Sequence, residues 1–81
     1  MDTKKTGAYL AALRKARGMT QQEAADQLGV SNKTVSKWEN GAGLPDITVL
    51  PALAELYGVT ADDILAGETL RGRPAETEGP A

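Results

Sequence analysis

The sequence contains neither cysteine nor histidine among its 81 residues. Without cysteine there are no disulfides, thiol nucleophiles or thiolate metal sites, and without histidine no side chain has an ordinary pKa near neutrality. We therefore expect no enzyme, no cofactor and no metal ion. The chain also lacks a run of about 18 apolar residues and the pattern of a secretory signal. We expect a cytoplasmic protein of one domain, with no membrane contact.

Charge is distributed unevenly along the chain, although the net charge is only −2. Residues 1–41 carry seven basic and four acidic side chains, and seven minus four is +3. Residues 42–81 carry two basic and seven acidic side chains, and two minus seven is −5. Such an asymmetry suggests that one face meets an anionic partner while another is kept away from it.

Capping residues and glycines predict five short helices and no strand. Thr20 and Glu23 have the spacing of a capping box, Ser31 is a good N-cap, and Asp62 and Asp63 suit the positive end of a helix dipole. In the first helix one apolar face would be formed by Tyr9, Leu10, Leu13 and Ala16, which recur at steps of three and four residues. The predicted segments run roughly over residues 6–17, 20–28, 31–40, 46–57 and 60–66.

Pro51 conflicts with a helix that would start at Asp46, because proline inside a helix removes a backbone hydrogen bond. We expect a turn over residues 47–50 and a helix that begins near Pro51. Residues 1–5 are expected to form an N-terminal arm. Residues 68–81 have the composition of a disordered tail or linker, and a linker would place an effector domain beyond residue 81.

The segment from Thr20 to Gly41 carries the functional signal. Two helices joined by a turn of about three residues that contains Gly29 have the geometry of a helix-turn-helix. At 100° per residue, the polar residues of the second helix fall within about 140° of one another, and Val35 and Trp38 lie on the opposite side. That polar stripe contains no acid, and its members are Asn32, Lys33, Ser36, Lys37 and Asn40.

The chemistry of this stripe suits a DNA groove. Asn can pair with adenine, Lys can donate to guanine, and Ser can serve either base. The N-terminus of the preceding helix, at Thr20 and Gln21, offers backbone N–H groups and a positive dipole end to a phosphate. A solvated polar face is the alternative interpretation of the same stripe.

Residues 8–67 resemble the Cro/repressor-type (XRE-like) helix-turn-helix family, the DNA-binding domain of lambdoid phage repressors and many bacterial regulators. The resemblance is carried by LRKARGMTQQEAA at 13–25, LGVS at 28–31 and VSKWENG at 35–41, and it continues through residues 44–46, 53–54, 57–59 and 63–65. It implies an all-α, compact five-helix lambda-repressor-like domain whose recognition helix, residues 31–40, lies in the major groove of double-stranded DNA.

The resemblance also implies particular contacts. Base edges would be contacted by Asn32, Lys33, Ser36 and Lys37, and phosphates by Gln21 and Asn40, with Thr20 and Ser31 as further candidates. The family often has Gln at the first two of these base-reading positions, so Lys33 suits a phosphate as well as a base.

Glu39 resembles the family's partner of an arginine on the first helix, which here is Arg14. We expect this pair to stabilise the fold, with an exposed pair of little energetic weight as the alternative. Lys4, Lys5 and Arg17 are expected to be solvated charges. Trp38 is expected in the core.

A small module of this kind commonly binds a two-fold operator as a homodimer. The apolar candidates for a dimer interface are Ile64, Leu65 and Leu70. A different class of function is a protein-interaction module on the same scaffold, as in antitoxins or adaptors, and the acidic second half favours it slightly. A catalytic role is not supported by Asp62 and Asp63, because adjacent carboxylates on a helix point in different directions and do not converge on one substrate.

Overall fold

The computed structural model describes residues 2–70, and five α-helices and no strand lie within that range. The prediction of an all-α, five-helix fold is confirmed. The helices are α1 (Thr3–Ala16), α2 (Gln21–Leu28), α3 (Asn32–Glu39), α4 (Leu50–Tyr57) and α5 (Ala61–Ala66).

Side-chain caps begin three of the helices where the sequence predicts them. At α2 the Thr20 hydroxyl accepts the Glu23 N–H at 3.0 Å, and the Glu23 carboxylate accepts the Thr20 N–H at 2.8 Å. At α3 the Ser31 hydroxyl accepts the Thr34 N–H at 3.1 Å. At α5 Thr60 caps the helix in the same way as Thr20. These bonds satisfy N–H groups that have no acceptor within their own helix.

Helix α1 begins at Thr3, three residues earlier than the predicted start at Thr6. The cause is Asp2, whose Oδ1 accepts the N–H groups of Lys4 at 3.0 Å and Lys5 at 3.1 Å. Residues 3–5 are therefore the first turn of a helix rather than part of an arm.

Helix α4 begins as predicted, behind a turn. The Val49 N–H donates to the Asp46 carbonyl at 2.9 Å, and residues 47–49 have turn geometry. Pro51 then lies in the first turn of the helix, where its missing N–H costs no intrahelical bond.

The core lies where α1, α3, α4 and α5 meet, and α2 packs against α3 and α4. Its buried side chains include Leu10, Val35, Trp38, Leu53 and Ile64. The prediction of Ile64 as an exposed interface residue is wrong, because α5 turns this side chain into the core at 0% exposure.

Several other apolar side chains are partly or largely exposed. Leu65 is 39% exposed and Leu70 is half-buried. Ala16, expected on the apolar face of α1, is exposed because the helix ends there. Within residues 2–70 the most exposed large apolar side chain is Ile47, at 76%, in the turn before α4.

The chain after α5 remains attached to the fold as far as Leu70. The Leu70 N–H donates to Asp63 Oδ1 at 2.9 Å, and the hydroxyls of Thr69 and Tyr9 are 2.9 Å apart. Residues 68–70 are thus held by hydrogen bonds, although the sequence predicts them as part of the tail. The remainder of that predicted tail, residues 71–81, lies outside the described residues.

Candidate nucleic-acid interface

Helices α2 and α3 contain eight residues each and are joined by Gly29, Val30 and Ser31. Gly29 ends α2 in the left-handed region at φ 73°, a conformation that glycine adopts without a side-chain clash. The Val30 N–H then donates back to the Ala25 carbonyl at 3.0 Å. Ala25 is fully buried, so the backbones of the two helices approach closely at this point.

One side of α3 is anchored and the other faces solvent. Val35 and Trp38 are buried in the core, whereas Asn32, Lys33 and Lys37 are exposed. Asn40, the C-cap, is also exposed, and Ser36 is half-buried between them. The structure therefore brings the five predicted stripe residues to one outer face, and their contacts with DNA remain a prediction.

Three hydroxyls and one side-chain amide of this region form hydrogen bonds within the protein. The Asn40 amide donates to the Ser36 hydroxyl at 3.3 Å, and the hydroxyls of Ser31 and Thr34 are 2.9 Å apart. Each hydroxyl or amide retains further hydrogen-bonding capacity, because an amide has two N–H groups and a hydroxyl has two lone pairs and one hydrogen.

Arg14 and Glu39 form a two-point ion pair that joins α1 to the end of α3. Arg14 Nε is 2.8 Å from Glu39 Oε2, and Arg14 Nη2 is 3.0 Å from Glu39 Oε1. The two side chains are only 12% and 6% exposed, which confirms a structural pair. The hydrogen bond to Glu39 raises the pKa of Arg14 above its ordinary value, so the guanidinium stays charged.

Gln21 contributes a third helix to this network, which the sequence did not suggest. Its side-chain amide donates to Glu39 Oε1 at 3.0 Å, and Arg14 Nη1 donates to the Met19 carbonyl at 2.8 Å just before α2. The carboxylate of Glu39 thereby connects α1, α2 and α3. The role of Gln21 cannot be predicted from local sequence patterns, because Gln21 and Glu39 are 18 residues apart.

Tyr57 lies buried beside this network. Burial raises the pKa of its phenol above the ordinary value of 10.0, and the Glu39 carboxylate raises it further. The phenol is therefore neutral at physiological pH. Arg14 and Glu39 therefore pair with each other, and within residues 2–70 Lys33 and Lys37 on the outer face of α3 form no ion pair.

Two glycines whose role the sequence does not indicate position the interface. A Cβ at Gly7 would clash with the Trp38 carbonyl and lie 2.9 Å from the Glu39 carbonyl oxygen, so α1 rests directly on the end of α3. A Cβ at Gly43 would lie 3.2 Å from Cε of Lys37, so the stem of this lysine runs along the turn after α3. In the sequence, an isolated glycine indicates only a weakened helix or a turn, so neither contact can be predicted from it.

The helix-turn-helix family matches residues 10–64, which include α2, α3 and most of the core. This chain belongs to the helix-turn-helix family. Among curated proteins it is similar to the HTH-type transcriptional activator BcrR of Enterococcus faecalis, with 41% identity over 61 residues. That match covers 75% of this chain and 30% of BcrR.

Other relatives of this helix-turn-helix chain are similar over stretches of comparable length. The HTH-type transcriptional regulator AnsR of Bacillus subtilis is 36% identical, with 73% of this chain and 51% of AnsR covered. The cryptic phage CTXphi transcriptional repressor RstR of Vibrio cholerae is 36% identical, with 68% and 49% covered. The matched part of this chain thus spans 30% to 51% of the length of these three relatives.

A solved structure supports the fold of the helix-turn-helix domain. The crystal structure of the clp gene regulator ClgR from Corynebacterium glutamicum superimposes with a TM-score of 0.73 at 25% identity. The alignment covers 83% of this chain and 71% of that one. Within residues 2–70, none of the helices is long and apolar enough to cross a membrane.

Proposed function

We propose that this helix-turn-helix domain binds double-stranded DNA sequence-specifically and serves as the operator-reading part of a bacterial or phage-type transcriptional regulator. The observation that carries the proposal is the outer face of α3, which exposes amide and ammonium groups and contains no acidic side chain. On the opposite side of the helix, Val35 and Trp38 are buried in the core. Membership of the family and relatives named as transcriptional regulators support it. Its site of action would be the cytoplasm, where bacterial DNA lies.

In this proposal α3 lies in the major groove and reads base edges with Asn32, Lys33, Ser36 and Lys37. The asparagine amide matches the donor and acceptor of adenine, and a lysine ammonium matches the two acceptors of guanine. Lys33 also suits a phosphate at the rim of the groove. Helix α2 crosses the DNA backbone, as the first helix of the motif does in the phage repressors.

The phosphate contacts come from both ends of the motif. The Thr20 hydroxyl accepts an N–H inside its capping box, so its own hydrogen is free to bind a phosphate oxygen. Gln21 donates one side-chain amide hydrogen to Glu39. Its second amide hydrogen, and its backbone N–H at the positive end of α2, can donate to a phosphate. Asn40 and Ser31 supply the remaining contacts at the two ends of α3.

We further propose that two copies bind a two-fold operator. A domain with one recognition helix reads only a few base pairs, and in repressors of this class two copies bind half-sites about 34–36 Å apart. Selection of bound duplexes from a random pool tests both statements. We expect an enriched sequence whose two halves are related by two-fold symmetry and are centred one helical turn apart.

The decisive variant is Lys37→Glu, compared with Lys15→Glu as a control that makes the same charge change on an exposed side chain of α1. Lys37→Glu should abolish binding of the enriched duplex in a fluorescence anisotropy titration, whereas Lys15→Glu should retain it. The proposal is wrong if no duplex is enriched at low ionic strength, or if Lys37→Glu binds as tightly as the wild type. In that case the protein-interaction module would become the better hypothesis.

A further inference from the structure

Two adjacent lysines at the start of α1 lie against different parts of the molecule. The stem of Lys5 packs on Gly67, where a Cβ would lie 2.8 Å from Lys5 Cγ, and its ammonium group is 3.8 Å from Glu68 Oε1. The stem of Lys4 packs on Gly41, where a Cβ would lie 2.9 Å from Lys4 Cγ. Lys5 is therefore directed to the region after α5, and Lys4 to the end of α3.

Gly41 directly follows Asn40, one of the residues proposed to bind a phosphate. The turn continues to Gly43, against which the stem of Lys37 packs. Lys4 and Lys37 thus flank the same short turn, residues 41–43, from opposite ends. Neither glycine has a side chain, which allows another backbone to approach this turn closely.

Lys4 keeps its charge available at this position. Lys4 is exposed, and among residues 2–70 it takes part in no ion pair. The closest acid in the sequence, Asp2, directs Oδ1 to the backbone N–H groups of Lys4 and Lys5, as the N-cap of α1. An ammonium group beside a side chain that is proposed to bind a phosphate, and free of an internal counter-charge, is suited to bind the DNA backbone.

We propose that Lys4 binds a DNA backbone phosphate at the C-terminal end of α3, next to the phosphate of Asn40, and that Lys5 makes no such contact. This inference rests on the proposed function, because it requires that the outer face of α3 meets DNA. It extends the binding surface from the helix-turn-helix to the first turn of α1. The competing explanation is that Lys4 only stabilises the negative end of the α3 dipole.

The test compares Lys4→Gln with Lys5→Gln, two variants of the full chain with the same net charge. Binding to a fluorescein-labelled 30-base-pair duplex of mixed sequence is measured by anisotropy over a series of NaCl concentrations. Each phosphate contact contributes about −0.9 to the slope of the logarithm of the association constant against the logarithm of the salt concentration. We expect Lys4→Gln to make the slope less negative by about 0.9, and Lys5→Gln to leave it unchanged.

A third variant separates charge from packing. Lys4→Arg keeps the charge and should keep the wild-type slope, since phosphate binding requires a cation rather than an ammonium in particular. A slope for Lys4→Gln equal to that of the wild type would overturn the inference. So would an equal change of slope in Lys5→Gln, or a slope for Lys4→Arg that is as much less negative as that for Lys4→Gln.

Failure of this inference is distinguishable from failure of the proposed function. If the wild type binds duplex and Lys37→Glu does not, while the slope for Lys4→Gln is unchanged, only the role of Lys4 is wrong. If the wild type binds no duplex even at low salt, the proposed function and this inference are both wrong.

Discussion

At Gly7 the lack of a side chain sets the distance between α1 and the end of α3. This residue is buried inside a helix, where glycine is normally unfavourable by roughly 0.5–1 kcal/mol relative to alanine. The carbonyl groups of Trp38 and Glu39 occupy the place where its Cβ would be. The packing gain at this contact therefore outweighs the helix propensity that alanine would add.

Gly7→Ala should lower the free energy of unfolding by about 1–3 kcal/mol, since a Cβ forced against backbone carbonyls separates α1 from α3. Urea unfolding followed by circular dichroism measures the change. Ala8→Gly, at the exposed neighbouring position, is the control and should cost only roughly 0.5–1 kcal/mol of helix propensity. A Gly7→Ala variant more stable than the wild type would contradict the close contact.

Residues differ in how far the sequence predicts their roles. The exposure of Asn32, Lys33 and Lys37 follows from helical periodicity, and the partnership of Arg14 with Glu39 follows from the family pattern. The roles of Gln21 and Gly7 do not, because each depends on a contact with a residue at least 18 positions away. Local rules carry no information about such contacts.

At the scale of the helix, the boundaries are predictable where a side chain caps its own helix. Thr20, Ser31 and Thr60 meet this condition, and α2, α3 and α5 begin directly after them. The start of α1 does not follow from apolar periodicity, which begins at Tyr9, because it depends on the side-chain cap at Asp2. At α5 the sequence predicts a dipole interaction for Asp63 but not its burial: the residue is only 2% exposed, and its carboxylate accepts the N–H groups of Thr60 and Leu70.

The two capping boxes allow a matched comparison of helices α2 and α5. Thr20→Ala and Thr60→Ala remove the same kind of cap, so each should lower the free energy of unfolding by about 1 kcal/mol. Only Thr20 lies at the proposed phosphate site. Thr20→Ala should therefore weaken binding to the duplex, and Thr60→Ala should not.

Chemical unfolding and an anisotropy titration, performed at a temperature at which both variants are folded, provide the two measurements. Equal losses of affinity in the two variants would mean that binding follows stability alone. No loss in Thr20→Ala would remove its hydroxyl from the proposed set of phosphate contacts.

At the scale of the whole molecule, charge is segregated between the two halves of the fold. Within residues 2–70, the basic side chains all precede Gly41, whereas residues 42–70 carry five acids and no base. Helices α4 and α5 thus present negative charge, whereas the lysines of the described residues lie on α1 and α3. A charge distribution of this kind steers the positive side toward a polyanion and disfavours binding in the opposite orientation.

The extent of the folded unit is a second property of the whole molecule, and it depends on the hydrogen bonds that Asp63 accepts. Its buried carboxylate accepts N–H groups from Thr60 at 3.1 Å and from Leu70 at 2.9 Å, so the chain as far as Leu70 contributes to the fold. The composition of residues 71–81 gives no reason to expect a packed core there. A chain that ends at Leu70 should therefore match the full chain in free energy of unfolding to within about 0.5 kcal/mol.

Within that shortened chain, Leu70→Pro should be less stable than Leu70→Ala by about 1.5–3 kcal/mol, because proline removes an N–H that donates to a buried carboxylate. Alanine keeps the N–H and loses only the half-buried side chain, so the difference between the two variants reports the loss of that N–H together with the fixed φ of proline. Thermal and urea unfolding of the three shortened chains measures it. Equal stability of the two variants would show that the fold ends at Gly67, where the sequence had placed its boundary.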